Sequence, residues 1–77
     1  MVTKIVRGIV SDPKVRFGKP VIEGTRVDVA TILQSLAAGW TVEQVMAEYH
    51  VKREDVQAAL AYAADVIEKS HPKPQRS

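Results

Sequence analysis

Between residues 28 and 69 the apolar positions recur three and four apart, the spacing that lines one face of an α-helix. Asp28 is placed as an N-cap whose carboxylate can accept from the free amides of a first turn, and Val29, Ile32, Leu33 and Leu36 follow as one stripe. Gly39 ends that helix as a left-handed residue, with Trp40 where a Schellman motif sets its hydrophobic contact. Thr41-Val42-Glu43-Gln44 then reads as a capping box, opening a helix of about two turns whose inner face is Val42, Val45, Met46 and Tyr49. His50 and Val51 make a turn, and a third helix is predicted from about Arg53 to Lys69, with Val56, Ala59, Leu60, Ala63, Val66 and Ile67 inward. Lys52 is a poor cap for it, so its start is expected to fray. The tail from Ser70 holds two prolines and no apolar residue, which predicts disorder over 70–77.

Before residue 28 the pattern changes character. Ile5, Val6, Ile9 and Val10 favour β-structure, and Ser11-Asp12-Pro13 closes the run with turn chemistry. Gly18-Lys19-Pro20 gives a second turn, Val21-Ile22 a short strand, and Glu23-Gly24-Thr25 a third turn in which Gly24 takes a positive φ. The predicted architecture is mainly α: a three-helix, helix-turn-helix or homeodomain-like bundle preceded by a short N-terminal β-hairpin arm. It is organised as one domain over 1–69, with the arm at 1–27 and the bundle at 28–69. An isolated hairpin is marginal in water, so the arm must pack on the helices or pair with a second copy, which would give a four-stranded sheet.

Composition sharpens this outline. A chain of 77 residues with four aromatics builds a small core, and a partner subunit would supply burial that it lacks. The absence of cysteine excludes disulfides, thiolate metal sites and cysteine nucleophiles, and fits a reducing cytoplasm. MVTKIVRGIVSD has no apolar run long enough for a signal peptide, and no segment could span a membrane. The net charge of +2 conceals a split. Residues 1–27 carry six cations against two anions, a net +4, whereas residues 28–69 carry three cations against seven anions, a net −4. A basic arm on an acidic body suggests two binding faces of opposite sign.

The turn-rich segment carries a more specific signal. Ser11-Asp12-Pro13, then GKPVIEGTRV at 18–27, LAAGW at 36–40 and EDVQAALAYA at 54–63 together resemble the small bacterial family catalogued as domain of unknown function 433. Two positions depart from its pattern: Lys52 stands where Thr or Ser is common, and Phe17, a possible interface anchor, stands where a small residue is usual. The resemblance implies a homeodomain-like, VapB-like antitoxin that neutralises a PIN-like nuclease toxin and binds its own operator. It implies no catalytic residues.

Candidate sites follow from the charge split and that resemblance. For DNA the candidates are Lys19, exposed in its turn, then Lys4, Arg7, Lys14, Arg16 and Arg26. Arg26 has a competing structural role, clamping Asp12 or Glu23 across the turns, and that role is preferred. Thr25 is assigned to local backbone bonding. The outward residues of the third helix are too acidic to favour phosphate, so base reading by this helix is disfavoured. Glu54, Asp55, Tyr62 and Asp65 are instead the candidate toxin contacts, opposite in sign to an RNA-binding groove.

An enzyme reading finds little support. His50 and Glu54 straddle a turn without a further ligand at metal spacing, and GKPVIEGTR lacks the phosphate-loop pattern. No catalytic residue, metal or other cofactor is assigned. Two alternatives stand beside the antitoxin: a stand-alone helix-turn-helix transcription regulator, and a structural homodimer module. The expected partners are a second copy through the N-terminal arm, the toxin and operator DNA.

Overall fold

The computed structural model describes residues 1–70; the tail expected to be disordered from residue 71 onward lies outside them. Three short strands precede three helices: β1 (Thr3–Val6), β2 (Ile9–Ser11), β3 (Val21–Ile22), α1 (Val29–Ala37), α2 (Val42–Tyr49) and α3 (Arg53–Ser70). Ser70, assigned to the tail on composition, is instead the last residue of α3, and its hydroxyl donates to the Val66 carbonyl at 2.7 Å. Among the described residues no helix is long and apolar enough to cross a membrane.

The expected hairpin gains a strand, because Val21–Ile22 joins it to give an antiparallel sheet in the order β1-β2-β3. Pairing sets Ile9 against Ile22 and Val10 against Val21. Strand residues alternate faces, so Ile9 and Ile22 share one face, and both are fully buried. They join Val29, Ile32, Val45, Val51, Val56 and Ala59 in one core. Between the two routes open to a marginal hairpin, packing on the helices is the one taken. Edge-to-edge pairing of two copies would thus give six strands, not four.

The helix boundaries follow local chemistry. After α1 the Gly39 amide donates to Leu36 and the Trp40 amide to Ser35, at 3.0 and 3.1 Å, with Gly39 at φ +101: a Schellman close. Trp40 then stacks on Tyr49, ring centroids 5.9 Å apart. At α2 both halves of the capping box form, Gln44 amide to Thr41 Oγ1 and Thr41 amide to Gln44 Oε1. The start of α3 does not depend on Lys52 as a cap. Asp55, three residues on, reaches back to accept from the Lys52 amide at 2.9 Å.

Two local expectations need correction. Asp28 occupies the N-cap of α1, but its carboxylate caps no amide. It is buried, accepts from the Thr31 hydroxyl and faces the Arg16 guanidinium at 3.8 Å. On α3, Val56 and Ala59 are buried as predicted, whereas Leu60, Val66 and Ile67 remain 45%, 41% and 62% exposed. The amphipathic stripe is real, but the helix outruns the core it packs on.

Candidate protein-binding groove

The turn between β1 and β2 consists of Arg7 and Gly8, and it lies directly on α3. Gly8 has φ +82, and a Cβ added there would stand 3.3 Å from Ala58 Cβ. Glycine is needed twice over, for the backbone conformation and for the close approach. The contact leaves a groove of about 530 Å³ between Val6-Arg7-Gly8 and the adjoining face of α3.

Glu54, Ala58, Ala61 and Asp65 lie on that face because helical positions four and three apart are neighbours. Asp55 and Tyr62 line its edge, and Gln57 adds a further polar group. All four residues expected to meet a toxin, Glu54, Asp55, Tyr62 and Asp65, are therefore brought to one groove. Their environments differ. Glu54 and Asp65 are exposed, Asp65 paired with Lys69 at 3.3 Å, while Asp55 is half-buried and engaged at the helix start. Tyr62 is not the outward residue the pattern suggested, for its ring packs against the core and is half-buried. The three carboxylates outnumber Arg7, which forms no ion pair among the described residues.

The six basic candidates do not gather in this way. Lys4 on β1 pairs with Glu23 at 3.8 Å, both exposed, an arrangement of little energetic weight. Arg7 belongs to the groove, and Arg16 is turned towards Asp28. Lys14, Lys19 and Arg26 are exposed on separate turns and unpaired among the described residues. The clamp expected of Arg26 on Asp12 or Glu23 is absent. Asp12 instead accepts from the Lys14 amide at 2.9 Å, and the 23–27 turn is held by Thr25, which donates to Ile22 and accepts from the Val27 amide.

The sequence reading also missed a left-handed turn. Arg16, Phe17 and Gly18 have φ of +51, +58 and +79, and Phe17 projects with 95% of its surface exposed. Only the glycine among the three advertises such a backbone, so nothing local signals the other two.

The floor of the groove lies within a segment that a known family shares: the family described as "Protein of unknown function (DUF433)" matches residues 9–63. The chain belongs to the DUF433 family. No curated protein matches it. Among solved structures it is similar to Rv2018 from Mycobacterium tuberculosis, with a TM-score of 0.63 and 38% identity over 68% of this chain and 24% of that one. The chain thus spans about a quarter of the length of Rv2018. Glu54, Asp55 and Tyr62 fall inside the DUF433 match, while Arg7 and Asp65 stand outside it.

Proposed function

We propose that this DUF433 protein is an antitoxin: a cytoplasmic binding protein, not an enzyme, that neutralises a PIN-like ribonuclease toxin by direct contact. The observation that carries the reading is the convergence of Glu54, Asp55, Asp65 and Tyr62 on one groove. A ribonuclease holds its substrate by cations set along a phosphate path. A groove with three carboxylates and an aromatic competes for such cations, and opposite potentials speed the encounter and fix its register. The same charges oppose nucleic acid, which leaves α3 an unsuitable reading helix.

Operator binding, as part of the same activity, falls to the sheet-side turns. Lys14, Lys19 and Arg26 are exposed and unpaired among the described residues, and two copies would double that charge. Such binding weakens steeply with salt and is reduced by Lys19→Glu.

Co-expression with the product of the adjacent reading frame, which this reading expects to be a ribonuclease, tests it. The wild-type chain should co-purify with the nuclease and suppress its cleavage of RNA. Glu54→Lys with Asp65→Lys, both at exposed positions, should weaken the complex by about tenfold or more. Nuclease activity untouched by a molar excess of the folded wild-type protein would end the antitoxin reading.

A further inference from the structure

A second surface has the opposite character. From Val29 to Val42 the sequence contains no charged residue, in a chain where 26% of residues are charged. This stretch is not an interior helix: Ala30, Gln34, Ala37 and Ala38 are exposed. Ala30, Leu33 and Ala37 share one side of α1, at i, i+3 and i+7. Facing them is the part of α3 that outruns the core, where Ala63, Val66 and Ile67 with Ala30 and Leu33 border an apolar groove of about 370 Å³. Its charged lining residues are Asp28, already engaged by Thr31 and Arg16, and Lys19, which is exposed and unpaired among the described residues. The exposed large residues Leu60 and Ile67, seven apart with Ala63 and Ala64 between them, continue the face along α3.

We infer that this largely apolar face of α1 and α3 is the homodimer interface, with the α3 helices of two copies crossing antiparallel at Ala63 and Ala64. This deepens the two-copy element of the reading above, replaces the N-terminal arm as the contact, and does not depend on what the acidic groove takes. Charge selects the occupant. Two copies meeting through the acidic groove would set carboxylates against carboxylates, whereas the α1–α3 face carries, among the described residues, no unengaged carboxylate and a single free cation, Lys19. Depletion of charge at the centre of a surface patch marks interface cores. A two-fold contact also requires a patch that complements itself. The α3 stripe meets this condition, because an antiparallel pairing centred between Ala63 and Ala64 lays Leu60 of each copy against Ile67 of the other. The small side chains at the centre allow the backbones to approach.

The arm offers less. Ile9 and Ile22 are spent in the core of their own chain, and β2 is paired on both sides. What remains is the outer edge of β1.

Light scattering and sedimentation of the full chain, without any nuclease, test the inference. The wild type should be a dimer, and Ile67→Asp, at a position too exposed to be needed for folding, should weaken the dimer by about a hundredfold while leaving the helical circular dichroism unchanged. Ile5→Pro, which blocks pairing at the β1 edge, should remain dimeric. Because the chain lacks cysteine, Ala64→Cys supplies one thiol per copy and should oxidise to a covalent dimer, whereas Ile5→Cys should not. A wild type that stays monomeric at all concentrations overturns the inference. So does a dimer that survives Ile67→Asp, or one lost only on Ile5→Pro. If Ile67→Asp leaves the dimer intact and releases the nuclease, the face belongs to the nuclease and the inference fails while the antitoxin reading stands.

Discussion

The sheet segment and the helical segment contribute alike to the core: Ile9 and Ile22 are as fully buried as Ile32 and Val45. They are held in place by different means. Each helix carries its own stop or start within a few residues, as in the Gly39 close, the Thr41–Gln44 box and the reach of Asp55 back to Lys52. The sheet has no such self-sufficiency. Its strands are fixed by contacts across the chain: Ile22 against Ile9, the Val29 amide on the Pro20 carbonyl, Ser11 on the Gly18 carbonyl, and Gly8 seated on Ala58. The first 27 residues are consequently not an appendage. They form a lid that exists only with the bundle beneath it, and the bundle is incomplete without the lid.

The largest test of this equivalence is Ile22→Ala. Truncating a fully buried isoleucine in a core this small should cost about 2–5 kcal/mol, a large share of the total stability of such a domain. Urea unfolding followed by circular dichroism measures it. A cost below about 1 kcal/mol would restore the detachable arm.

Phe17→Gly probes the same segment with the opposite sign. The side chain is almost wholly exposed while its backbone is left-handed, so glycine relieves strain without losing packing. The variant should be more stable by about 0.5–1 kcal/mol. If it is less stable, the ring has packing in solution that the described residues lack.

The smallest effect concerns the junction of α2 and α3. The Arg53 guanidinium, hydrogen-bonded at 2.7 Å, holds the Glu43 carboxyl below its ordinary pKa. With the folded value depressed, the pair's contribution is present above the unfolded carboxylate pKa and fades as pH falls through the folded one. Both side chains are largely exposed, so global stability should change little. Carboxyl NMR titration should place the Glu43 midpoint higher in Arg53→Ala than in the wild type. An unchanged midpoint would mean that the ion pair does not persist in solution.

The groove was half legible in advance. Glu54, Asp55, Tyr62 and Asp65 could be chosen from sign and helical spacing, because a single helix sets their neighbours. Their opposite wall could not, since it rests on Gly8 meeting Ala58 across fifty residues of chain. The basic candidates failed to assemble for a related reason. Six cations close in sequence are dispersed when the chain turns four times between them, and two are drawn off by Glu23 and Asp28.

The sequence by itself determined the order of the helices, the close of α1 and the cap of α2, the turn chemistry of Asp12 and Thr25, and the membership of the charged face of α3. These depend on interactions between residues two to four positions apart, which the chain states directly. Only the tertiary structure decided that β3 completes a sheet, that Asp28 serves Thr31 and Arg16 instead of the helix amides, and that Tyr62 turns inward. It also left Leu60, Val66 and Ile67 uncovered. Each of these outcomes is set by what arrives from elsewhere in the chain, and for the end of α3 nothing arrives from the described residues: periodicity fixes which face of a helix is apolar, but the length of the surrounding core fixes how much of that face is buried.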